Sequence, residues 1–199
     1  MHQQDRKRLA PEKRRALIEE AAAKLFAQHG YAGTRLQDIA QAAGVTKPML
    51  YRHFASKKAL HLALLAGHWE ELRAQIVGSV KEGPLRPQLP RILDAWFAYV
   101  QKRPYAWRML FRDTTGDPDI QAFHQELHAS ARALTRALIE GQQDIALPKR
   151  ELEPLAEVVR SAITGLALWW LEHPKIPRSL VVEVMSRLLD ALIESAPAR

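Results

Sequence analysis

The sequence predicts an all-α fold: an N-terminal three-helix head built on a helix-turn-helix, followed by a larger C-terminal helical bundle, about nine helices in all. Three observations carry this. Apolar residues recur every three or four positions along the chain, and no segment alternates as a half-buried strand would. The 12 prolines and 9 glycines fall mostly between those periodic segments, where they punctuate helices. The charge is lopsided: residues 1–61 carry 12 Lys and Arg against 5 Asp and Glu, leaving 17 of each sign in the remainder. A polyanion-binding head on a neutral body is the simplest physical reading of that imbalance.

The helices follow in order. PEKRRALIEEAAAKLFAQHG, residues 11–30, opens on a first-turn proline and closes on a glycine. Ile18, Ala22, Leu25 and Phe26 form its apolar face, with Lys13, Arg14 and Glu19 toward water. In TRLQDIAQAA, residues 34–43, Thr34 and Gln37 have the spacing of a capping box, and Leu36, Ile39, Ala40 and Ala43 form the inward face. Gly44 and Val45 make a tight turn, after which Thr46 can cap a third helix with Pro48 in its first turn. Leu50 and Phe54, four apart, point that helix inward. Ser56 caps a fourth helix running to about residue 80. KEGPLRPQLP, residues 81–90, breaks the pattern. Further helices are expected near 88–102, 104–112, 118–142, 151–172 and 177–195. The head is assigned to residues 1–60, with its motif at about 34–54, and the body to 61–199.

Two short helices joined by a glycine-containing turn make a helix-turn-helix, whose second helix enters the DNA major groove. Buried Leu50 and Phe54 would leave Lys47, Met49, Tyr51, Arg52 and His53 outward. Thr46 and Lys47 stand where base edges are read, and a lysine can donate to guanine O6 and N7. Pro48 and Met49 can pack on a thymine methyl. Tyr51, Arg52 and His53 carry donors for phosphate oxygens. Lys57, at the start of the next helix, is placed for a phosphate. Thr34, Arg35 and Gln37, which open the second helix, are further candidates, although Gln37 could serve only its capping box.

The run GYAGTRLQDIAQAAGVTKPMLYRHFASKKALHLAL resembles the N-terminal domain of TetR/AcrR-type transcriptional regulators. Phe26, Gly30-Tyr31, Thr34, Ile39-Ala40, Ala43-Gly44-Val45, Leu50-Tyr51, His53-Phe54, Ser56-Lys57 and Leu60 carry the likeness, in order, over about a third of the chain. The resemblance implies a nine-helix homodimer that represses transcription and leaves its operator when a small molecule binds the C-terminal domain. It implies DNA contact by Thr34, Thr46, Lys47, Pro48, Tyr51, His53 and Lys57. It also implies dimerisation through the last two helices. Position 47 is often small or polar and position 48 often glycine or alanine in such proteins, so Lys47-Pro48 is a departure and the operator sequence does not transfer.

In the last helix Leu180, Val184, Leu188 and Ala191, with Val181, Met185 and Leu192 beside them, form a broad apolar face. Small Ser161, Ala162 and Gly165 permit close approach in the helix before it. Adjacent Trp169 and Trp170 point ~100° apart, so one is expected to face a partner subunit. Trp96, Tyr99, Trp107, Phe111, Phe123 and Trp169 are the candidates to line an apolar ligand cavity. His124 and His128 stand four apart but lack a third ligand, so no metal and no cofactor are expected. No catalytic motif is present, and no enzyme activity is expected. An all-α enzyme or scaffold with a basic surface is the alternative, as is an activator of the same shape. The chain has no cysteine, no secretory apolar run at its basic start and no membrane-spanning stretch, which points to the cytoplasm.

Overall fold

The computed structural model describes residues 10–111, 116–140 and 147–194. The basic residues 1–9 and the expected helix ends at 112, 141–142 and 195 lie outside the described residues. Among those described there are nine α-helices, one 3₁₀ turn and no strand. The helices are α1 Pro11–Gly33, α2 Leu36–Ala43, α3 Lys47–His53, α4 Lys57–Ser79, α5 Leu89–Lys102, α6 Pro104–Phe111, α7 Pro118–Glu140, α8 Lys149–Glu172 and α9 Arg178–Glu194, with the 3₁₀ turn at Arg86–Gln88.

Helix ends are set by local chemistry. Pro11 occupies the first turn of α1, where its missing N–H has no intrahelical role. Gly30 then interrupts that helix with φ +68° and ψ 172°, a backbone conformation open essentially to glycine, and one more turn reaches Gly33. Helix α2 ends on Gly44 at φ +65°: its N–H donates to the Gln41 carbonyl at 3.0 Å, and Val45 N–H donates to the Ala40 carbonyl at 2.9 Å. This paired closure satisfies carbonyls the helix leaves open and aims the chain into α3. Ser56 Oγ accepts the Ala59 N–H at 3.0 Å and caps α4 as its sequence position foretells.

The described residues form two compact units, one up to Trp69 together with those from Tyr105 to Phe123, the other those from Glu70 to Pro104 and from His124 on. Helix α4 is unbroken across the expected border, because neither glycine nor proline stands near residue 60 to stop it.

The first unit's core joins Ile18, Ala22 and Phe26 of α1 to Ile39 of α2, Leu50 of α3 and Leu60 of α4, all solvent-excluded. His61 is enclosed there too, edge-on to the Phe26 ring at 4.7 Å. Arg14 departs from its expected place in water and is half-buried. In the second unit α5 packs against α9, and Arg178 of α9 reaches Asp94 at 2.8 Å and Gln101 at 2.9 Å on α5. The broad apolar face of α9 divides in two. Val181, Val182, Met185 and Leu189 are buried, whereas Leu180, Val184 and Leu188 stay exposed.

Candidate nucleic-acid interface

Helix α3 is held by two side chains and presents the rest. Leu50 is fully buried and Phe54 nearly so, anchoring the helix by roughly 1.5–3 kcal/mol of apolar burial each. The Arg15 guanidinium lies 4.7 Å from the Phe54 ring centroid and clamps that anchor from outside. On the other side Thr46, Lys47, Pro48 and Arg52 are exposed, Met49 and His53 are half-buried, and Tyr51 is 46% exposed. The tyrosine ring is therefore not tucked beneath the helix. Lys47 Nζ stands 5.9 Å from that ring, one turn away, so the pair shares one outward surface.

The electrostatics separate these groups from their neighbours. Arg15 pairs with Glu19 at 2.8 Å, Lys24 with Glu20 at 2.7 Å and Arg35 with Asp38 at 3.0 Å. Lys58 bonds Asp119, with Asp117 at 3.5 Å, and that hydrogen bond raises its pKa above the usual lysine value. Lys47 and Arg52 have no ion pair among the described residues. Thr46 occupies the cap position of α3, yet its hydroxyl makes no cap bond and stays in solvent. Donors without acceptors on one exposed face suit a ligand rich in phosphate oxygens and base acceptors.

Several site candidates have other roles. Thr34 is only 2% exposed, and its hydroxyl donates to the carbonyls of Gly30 at 2.8 Å and Leu25 at 3.2 Å. The Thr34–Gln37 capping box does not form; Arg35 stands at the cap position of α2 without a side-chain cap bond, and Gln37 is exposed. The reason is the break at Gly30, which frees carbonyls that a buried hydroxyl must satisfy. Lys57 performs the same duty. Its ammonium donates to the carbonyls of Tyr31 at 2.8 Å and Thr34 at 3.0 Å, 4.4 Å from the Tyr31 ring centroid. It ties the α1–α2 link to the start of α4 with two of its three N–H groups. Thr46, at the cap, and Lys47, Pro48, Met49, Tyr51, Arg52 and His53 are brought together at α3, with Arg35, at the cap of α2, and Gln37 within it exposed.

The second unit contains an apolar cavity of about 80 Å³, lined from α4, α5, α7, α8 and α9. Of the six aromatic candidates, Trp96 is in its wall. Tyr99 is buried outside the lining, and Trp169 is 43% exposed against His173, ring centroids 4.1 Å apart. Trp107, Phe111 and Phe123 belong to the first unit, where Trp107 packs on Phe111 at 4.3 Å. Aromatic spacing marked core rather than cavity. Residues such as Leu93, Leu155 and Ile163 form the wall instead. Trp170 is the inward member of its pair, donating Nε1–H to the Ile176 carbonyl at 2.8 Å.

Among known proteins, the profile of bacterial regulatory proteins of the tetR family matches residues 18–64, and that of the tetracyclin repressor-like C-terminal domain matches residues 84–195. The HTH-type transcriptional activator FasR of Mycolicibacterium smegmatis is 27% identical over 171 residues, covering 84% of this chain and 77% of that protein. The HTH-type transcriptional repressor SCO4008 of Streptomyces coelicolor is 28% identical over 179 residues, covering 86% of this chain and 85% of the relative. A TetR-like transcriptional regulator from Rhodococcus superposes with TM-score 0.76 at 25% identity, covering 91% of this chain and 96% of that one.

Proposed function

The chain belongs to the TetR family of bacterial transcriptional regulators and is a DNA-binding protein, not an enzyme; we propose that it acts as a homodimeric repressor, released from its operator by a small molecule. The observation that carries the reading is the α3 surface, where Lys47 and Arg52 have no acidic partner among the described residues while Leu50 and Phe54 fix the helix from behind. Lys47 reads base edges with Thr46, Pro48 and Met49 beside it. Arg52 and Tyr51 bind phosphates, with His53, Arg35 and Gln37 at the margin.

Two features support the dimer and the ligand. Leu180, Val184 and Leu188 on α9 and Val158 and Trp169 on α8 expose large apolar surface, and Gly165 leaves open space at the outer face of α8. Such a patch suits a self-complementary interface. The cavity in the second unit offers the ligand a site, and occupancy releases DNA by favouring a form whose paired α3 helices no longer match half-sites about 34–36 Å apart. We place the protein in the cytoplasm, where its DNA is; no helix among the described residues is long and apolar enough to cross a membrane.

Fluorescence anisotropy on promoter DNA upstream of the protein's own gene and its neighbours tests this directly. Sequence-preferring binding lost in a Lys47→Ala, Arg52→Ala double variant supports the reading. Weak binding to all sequences alike would favour a scaffold with a basic surface. Since one relative is named an activator and the other a repressor, transcription in vitro decides the sign.

A further inference from the structure

The cavity geometry points to an uncharged aliphatic chain as the ligand, a hydrocarbon segment with no ionised group inside the site; this rests on the reading of the protein as a ligand-responsive regulator. Fourteen of the sixteen lining residues are Leu, Ile or Val, and the other two are Trp96 and Thr135. Among the described residues no charged side chain is in the wall. An ionised carboxylate placed there would lose its water and gain no countercharge, which proteins avoid by neutralising or excluding the group.

Three further observations narrow the class. The Thr135 hydroxyl donates its proton to the Ala131 carbonyl at 3.0 Å, so only acceptor capacity remains on that oxygen. That suits the O–H of an alcohol and opposes a carboxylate, which can only accept. Four arginines adjoin the wall in sequence, and each bonds a group outside it. Arg136, beside Thr135, pairs with Glu140 at 3.3 Å and Glu153 at 3.5 Å, and Arg160, beside Val159, bonds Glu157. Arg86, beside Leu85, is bound to Asp190 at 3.1 Å and to Glu194. Arg91, beside Ile92, donates to Gln88 at 2.7 Å in a separate groove with Lys81, Pro84 and Pro87.

The lining favours a chain over a ring. At about 80 Å³ the cavity is smaller than the ~150 Å³ apolar hole known to admit benzene in another protein. Trp96 alone among the described lining residues offers an aromatic face, so a ring finds one stacking partner and an otherwise aliphatic wall. Longer chains must push the lining outward, which couples ligand length to the arrangement of the helices that carry it.

Calorimetric titration of the full chain with 1-octanol, octanoate and benzyl alcohol at pH 7.5 tests the assignment. The expected result is 1-octanol binding at least tenfold more tightly than either of the others. Filling the cavity with Val159→Phe should weaken 1-octanol at least tenfold while operator affinity without ligand is retained. Leu89→Phe serves the same purpose if the first variant loses its cooperative melt. Octanoate or benzyl alcohol matching 1-octanol, binding unaffected by both fillings, or no 1-octanol binding overturns the assignment. Operator release is scored separately by gel shift. Bound 1-octanol that leaves DNA in place contradicts the ligand-release function and leaves the cavity assignment standing, whereas release by octanoate alone does the reverse.

Discussion

Lys47, Arg52 and Lys57 are three cations within eleven residues, and their surroundings give them different work. Lys47, without an ion pair among the described residues, is proposed to read bases, so Lys47→Ala should change the ranking of operator variants by about 1–3 kcal/mol, seen in anisotropy on a substituted panel. Arg52→Ala should weaken binding to all sequences alike and reduce the slope of log affinity against log salt by roughly one. Lys57→Ala should leave that slope unchanged and lower the thermal midpoint, since two carbonyls lose a charged donor, each bond contributing about 1.5–3 kcal/mol. A lowered slope with an unchanged midpoint would return Lys57 to the phosphate contacts. The sequence told which residues α3 presents, because burial of Leu50 and Phe54 follows from spacing alone. It did not tell the roles of Thr34 and Lys57, because their partners lie 9 and 26 residues away and exist only once Gly30 breaks the helix.

Helix ends were legible wherever one local signal decides them: Pro11, Gly44 and Ser56 act where the sequence places them. The Thr34–Gln37 box failed because its threonine has nearer carbonyls to satisfy. Elements also carry the pH dependence. Between α7 and α8, Arg132 meets Glu153 at 3.0 Å and Glu157 at 3.4 Å, and Arg160 bonds Glu157. The hydrogen bond from Arg160, foremost, lowers the Glu157 carboxyl from 4.5 to about 2. Burial, foremost, lowers His128, whose Nδ1 is 3.3 Å from Arg160. Both groups bind protons less readily when folded, so both stabilise the neutral-pH protein and cease to do so in acid. The contribution of His128 is present above pH 6.5 and is lost as pH falls through its lowered pKa; that of Glu157 is present above 4.5 and is lost toward about 2. Glu157→Gln should flatten the fall in melting temperature between about pH 4.5 and 2, followed by circular dichroism. An unaltered profile would show that the α7–α8 ion pairs contribute nothing to acid sensitivity.

For the whole molecule, the proposed dimer makes the exposed apolar residues of α8 and α9 and the outward donors of α3 act together. A half-site pair can be read by one assembly only if two chains associate. Leu188→Glu should bury a charge in the proposed interface, shift sedimentation to the monomer and cost at least tenfold in operator affinity, with the α-helical signal retained. The sequence marked this surface, yet its apolar stripe could not say which half of α9 faces inward, since Val181 and Val184 are chemically alike and only packing on α5 separates them. Protection of guanine N7 from methylation on an operator tests the α3 surface most directly, because N7 lies in the major groove. The expected pattern is two protected patches about one helical turn apart, or a multiple, that fade with Lys47→Ala and persist with Lys57→Ala. Binding that leaves every guanine N7 reactive, or protection indifferent to Lys47, would contradict the placement of α3 in the groove.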